Sequence, residues 1–104
     1  MTFHVTHRYG NDEPAPALAA LADLLRELVD RPEDLEHGAV SLTHETEWCI
    51  SVGPEGHVTF ENLERGGPRH MRNVPDAKIL ELWALLAVGD LDRIEAEPWL
   101  PGYE

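Results

Sequence analysis

The stretch Trp48-Cys49-Ile50-Ser51-Val52-Gly53-Pro54-Glu55-Gly56-His57-Val58-Thr59-Phe60-Glu61-Asn62-Leu63 decides how this chain folds. Apolar and polar residues alternate on both sides of a Gly-Pro-Glu-Gly turn, the period of a strand with one buried face. Trp48, Ile50 and Val52 share one face of a strand running from Glu47 to Val52. Val58 and Phe60 share one face of the next, from His57 to Leu63. Loop length settles whether these faces coincide, because a one-residue slip turns every side chain over. A two- or four-residue loop puts them on opposite sides. A three-residue loop, Pro54-Glu55-Gly56, pairs Val52 with Val58 and Ile50 with Phe60. Such loops are a type I turn followed by a left-handed residue. Proline suits the first corner and glycine the left-handed position. The same register sets Cys49 opposite Glu61 and Ser51 opposite Thr59, a second face of small polar side chains that is expected to be wet or to bind something.

Outward from this hairpin, Val40 to Thr43 reads as a preceding strand and Phe3 to Tyr9 as an earlier one, with Phe3, Val5, His7 and Tyr9 on one side. Gly10 to Pro16 carries strong breakers and reads as a loop. Ala17 to Arg31 places Leu18, Leu21, Leu25, Leu28 and Val29 at helical spacing, and Pro32 stops the run. Residues 32–38 have room for one further turn. Glu64 to Pro68 reads as a loop and Arg69 to Asn73 as a short edge strand. Pro75 to Val88 is a second helix with a stripe of Ile79, Leu82, Trp83, Leu86 and Ala87, bracketed by proline and Gly89. Asp90 is placed to cap a short helix, Leu91 to Ala96. In the tail, residues 97–104, Trp99, Leu100 and Tyr103 suit packing back onto the domain. The expected fold is α+β, a single small domain whose antiparallel sheet of four to five strands is packed on one face by two main helices.

Twenty acidic and eight basic side chains among 104 residues leave a net charge of −12. Such a surface repels nucleic acid and anionic membrane, and it attracts a basic protein through complementary fields. A domain of this length buries roughly two-thirds of its unfolded surface, enough for a core without staples. Cys49 is the one cysteine, which excludes an internal disulfide and fits a reducing compartment. The start lacks a charged-then-apolar leader, and no 18-residue apolar run occurs, so a cytoplasmic protein is expected.

Several constellations bear on chemistry. His4 and His7, three apart, fall on opposite faces of a strand and would chelate together only on a helix; no metal and no cofactor is expected. Cys49 as a nucleophile needs a base in reach, but its cross-strand neighbour is Glu61, which disfavours a thiolate. His44-Glu45-Thr46-Glu47 offers paired carboxylates in a hairpin connection, where exposed charge is ordinary. Gly66-Gly67-Pro68 has neither the lysine nor the following helix of a phosphate loop. Arg65, Arg69 and Arg72, with His70, form a basic patch and a candidate anion site. Trp48 and Trp83 sit on core-facing positions.

The order of strand, helix, antiparallel strands, helix and Trp-bearing tail resembles the first immunity-protein family of bacterial polymorphic toxin systems. Two stretches carry the resemblance: residues 48–63, with a strand, a glycine turn and a strand, and Val74 to Trp99, with a V-P-x-x-x-x-L helix start, a helix-ending glycine and a late tryptophan. Members of that family often place acidic and aromatic residues where this chain has its arginine loop. The resemblance transfers no individual residue role. It implies a non-catalytic protein that binds and blocks a cognate toxin. The expected function is an acidic protein-binding module for a basic partner, through Cys49, Ser51, Thr59 and Glu61 with the loop acids Glu45, Glu47 and Glu55. The alternative is a small ligand-binding or enzymatic domain with a site between sheet and helices near His7, His44, His70 and the arginines. A monomer is expected, or a weak homodimer through the edge strand Arg69 to Asn73.

Overall fold

A computed structural model describes residues 3–7, 12–14, 20–30, 39–53 and 56–102, with the backbone alone for 12–14 and 27–30. Seven antiparallel strands form one sheet: β1 (Phe3–Thr6), β2 (Asp12–Pro14), β3 (Val40–His44), β4 (Trp48–Val52), β5 (Val58–Asn62), β6 (Gly66–Met71) and β7 (Leu100–Pro101). Their spatial order is β2-β1-β3-β4-β5-β6-β7. Among the described residues three helices accompany them: α1 (Leu21–Asp30), between β2 and β3, and α2 (Asp76–Ala87) and α3 (Leu91–Glu95), between β6 and β7.

The central hairpin has the register its alternation demands. Val52 pairs with Val58, Ile50 with Phe60, Ser51 with Thr59 and Cys49 with Glu61. Gly56 takes the left-handed conformation, φ 73°, and Gly53 N–H donates to His57 O at 2.8 Å. Pro54 and Glu55, the two corners of the expected turn, lie outside the described residues. On the apolar face Val5, Leu42, Ile50 and Phe60 run across four strands and are buried. Leu21, Leu24 and Leu25 of α1 and all five stripe residues of α2 join them in one core. Trp83 is fully buried, and its indole N–H donates to Ile50 O at 3.1 Å, so its polar end is satisfied. Each such large side chain contributes roughly 1.5–3 kcal/mol by leaving water.

The sheet is wider than the four to five strands expected. The run Gly10 to Pro16, read as a loop, contains β2, and the tail supplies β7. These additions have three and two residues, too short to carry a period of two; tertiary pairing alone makes them strands. The connection Glu64 to Pro68 is shorter than expected, because β6 begins at Gly66. A bulge between Phe60 and Asn62 absorbs the mismatch. Arg69 to Asn73 is not an edge: Arg69 pairs with Pro101 and His70 with Leu100, so the tail occupies the position that edge-to-edge dimerisation would need.

Candidate protein-binding surface

Two hairpin turns meet at one end of the sheet. In the first, Glu47 N–H donates to His44 O at 2.9 Å, and Glu47 sits at φ 72°, rare for a residue with a side chain. His44 is buried; its Nδ1 lies 2.8 Å from Thr46 Oγ1 and accepts from Thr46 N–H at 3.3 Å. In the second, Asn62 Oδ1 accepts from the backbone N–H groups of Glu64 and Arg65, each at 3.0 Å. Asn62 then ties the two turns together. Its Nδ2 donates to Thr46 O at 3.3 Å, and Leu63 N–H donates to Glu47 O at 2.8 Å. The result is a braced platform. Glu45 and Glu64 are exposed on it, Glu47 and Glu61 are half-buried beside it, and Leu63, 53 % exposed, stands among them. An apolar knob ringed by carboxylates suits a surface that is apolar and cationic in turn.

Of the expected contact residues, Glu45, Glu47, Ser51 and Glu61 reach solvent. Cys49 and Thr59 do not, at 4 % and 8 % exposure. All three helices lie on the opposite face, yet Cys49 is closed over, flanked by Thr43 and Glu61 across the strands, with Ser51 Oγ 3.7 Å from Sγ. Trp48, on the helix face, is only half-buried and stacks on Phe60 at 4.8 Å. The exposure of Trp48 and Cys49 is thus the reverse of that expected from alternation alone: the centre of a wide sheet closes over small side chains, while its end leaves a large ring partly open. The turn carrying Glu55 leaves the far end of β4, and Glu55 itself lies outside the described residues. Sequence reasoning missed Asn62, Leu63 and Glu64. The Asn62 signal was available, since Asn before a tight connection commonly accepts from backbone N–H groups two residues on.

The arginines do not converge. Arg65 lies in the turn just before β6, Arg69 within the strand and Arg72 just past its other end. Arg69 lies over the Phe60 ring, 5.0 Å from its centroid, and is ion-paired to Glu95. Phe60 stacks on both Trp48 and Trp99, the latter at 5.2 Å. The imidazoles expected to line a pocket, His44 and His70, do not converge either. His44 belongs to the helix face, whereas His70 points the other way, is 2 % exposed and stacks on His57 at 5.5 Å. His70 Nδ1 donates to Gly102 O at 2.9 Å, and Nε2 finds no hydrogen-bond partner among the described residues. Among the described residues no three His, Cys, Asp or Glu side chains are grouped to hold a metal ion, and no helix is long and apolar enough to cross a membrane.

Fold and surface together define an α+β domain with an open acidic platform at one end of its sheet. No protein-family model, curated protein or solved structure matches the chain.

Proposed function

We propose that this chain is a non-catalytic binding module for a basic protein, and that its partner is a toxin enzyme of the kind countered by the immunity proteins it resembles. The observation that carries the reading is the charge of −12. The platform of Glu45, Glu47, Glu61 and Glu64 around Leu63 is where that charge meets an exposed apolar side chain on a rigid support. Carboxylates at the rim speed encounter with a cationic surface, and the apolar centre slows dissociation once water is excluded.

The test pairs the purified chain with the protein encoded by the adjacent gene and follows association by stopped flow. Raising NaCl from 0.1 to 0.5 M should slow association by about tenfold, since the screening length shrinks from about 10 Å to well below it. Leu63→Ala should leave the association rate unchanged and accelerate dissociation by at least about fivefold. A tight complex whose association ignores salt would overturn the electrostatic reading. Insensitivity to both Leu63→Ala and Glu64→Lys would remove the platform as the contact.

A further inference from the structure

Seven of the nine residues around one groove come from the β6–α2 connection and the tail, with Met71 at the end of β6 and Lys78 in α2. Met71, Val74, Pro75, Pro98 and Leu100 supply an apolar lining, and the cavity measures about 390 Å³. That volume lies at the small end of the range for small-molecule sites. Its charged members are Arg72, Lys78 and Glu97. Lys78 Nζ lies 2.6 Å from Glu97 and 3.5 Å from Glu81, so the one carboxylate in the lining is already neutralised. The hydrogen bond to Glu97, with the field of Glu97 and Glu81, outweighs the cost of burial and raises the Lys78 pKa above its ordinary value. Arg72 is different. Like Arg65, it is exposed and makes no ion pair or side-chain hydrogen bond among the described residues, whereas Arg26, Arg69, Lys78 and Arg93 are all ion-paired; of the two, Arg72 is the one that lines this groove. In a chain with twenty acids, an unneutralised guanidinium beside an apolar cavity is the exception.

We infer that this groove binds a small monocarboxylate with an apolar body, its carboxylate on Arg72 and its body against Val74, Pro98 and Leu100. A planar fork of N–H donors matches a carboxylate in two hydrogen bonds. The apolar lining rewards a hydrocarbon body and leaves a bare inorganic anion without contacts. A dicarboxylate would bring a second charge toward Glu97 and is disfavoured. This site lies at the Gly56 end of β5, away from the turns that carry the acidic platform, and does not depend on the protein-binding reading.

The test titrates 3-phenylpropionate, and separately its uncharged amide, into the isotopically labelled full chain and follows backbone amide shifts. Saturable shifts confined to residues 71–78 and 97–100 are expected with the acid. The amide, and the acid with Arg72→Gln, should bind about tenfold more weakly, the worth of one charge-assisted contact. Arg72 has no ion pair or side-chain hydrogen bond among the described residues, so the variant should keep the spectrum of the folded protein, which the same measurement verifies. Equal affinity for acid and amide, shifts elsewhere, or no saturation would overturn the proposal. So would a short peptide with a free C-terminus binding tenfold tighter than the acid, which would reassign the groove to a chain terminus.

Discussion

Gly56 carries two constraints at one atom. Its φ of 73° is left-handed, and a Cβ there would lie 2.6 Å from Val74 O and 2.7 Å from Val74 N. The close approach has a purpose: Val74 N–H donates to Gly56 O at 3.1 Å, pinning the entry to α2 against the β4–β5 turn. Gly66 has the same backbone, φ 75°, but nothing within 4 Å of a Cβ. The pair therefore separates conformational strain from collision. Gly66→Ala should cost about 1 kcal/mol, the left-handed penalty alone. Gly56→Ala should cost about 3 kcal/mol, because a backbone atom rather than a flexible side chain blocks the methyl group. Urea unfolding of both variants measures the difference. Equal losses would show that the Val74 segment yields, and that the hydrogen bond to Gly56 is not holding α2 in place.

At the scale of elements, the tail does more than end the chain. Trp99 stacks on Phe60, its indole N–H donates to Ile94 O at 2.7 Å, and Gly102 N–H donates to Pro68 O at 2.9 Å. Removing residues 98–104 should take away the Trp99 stack on Phe60 and uncover the Arg69–His70 backbone now paired by β7. A melting temperature lower by about 10 °C or more, the scale of losing a few kcal/mol in a domain this size, is expected. Self-association through the freed β6 edge should appear in light scattering. A truncated chain that stays monomeric with an unchanged melting temperature would contradict both roles. What could be read in advance follows the same scale. The β4–β5 register and the α2 stripe were legible because period and punctuation agree within the element itself. β2 and β7 were not, since each exists only through a neighbour far away in sequence. Glu45 and Glu47 were legible as turn acids that reach solvent. The closure over Cys49 was not, because it depends on how many strands flank β4. Leu63, reduced to a strand-end residue by its pattern, became a surface knob only once Asn62 had bent the chain.

For the whole molecule the deciding quantity is the twelve-charge excess of acid. The described ion pairs are solvent-exposed to varying degrees: Arg26–Asp23, Arg69–Glu95, Lys78–Glu97, Lys78–Glu81 and Arg93–Asp90. Pairs of this kind contribute about 0–1 kcal/mol each and weaken with salt. Repulsion among the unneutralised acids acts throughout the compact state, opposes folding, and also weakens with salt. The two effects predict opposite signs. Glu64, Asp76 and Asp92 are exposed and have no ionic partner among the described residues, so repulsion should win. Between 0.1 and 1 M NaCl the screening length falls from about 10 Å to about 3 Å. The melting temperature should rise by about 4 °C, which corresponds to on the order of 1 kcal/mol. Sodium chloride rather than sulfate is the proper salt, because sulfate would strengthen apolar burial as well. In the triple variant Glu64→Gln, Asp76→Asn, Asp92→Asn, the starting stability should be higher and the salt increment smaller. A melting temperature that falls with NaCl would mean that the five pairs outweigh the excess, and that this chain carries its negative charge as an internal network instead of as a field offered to a partner.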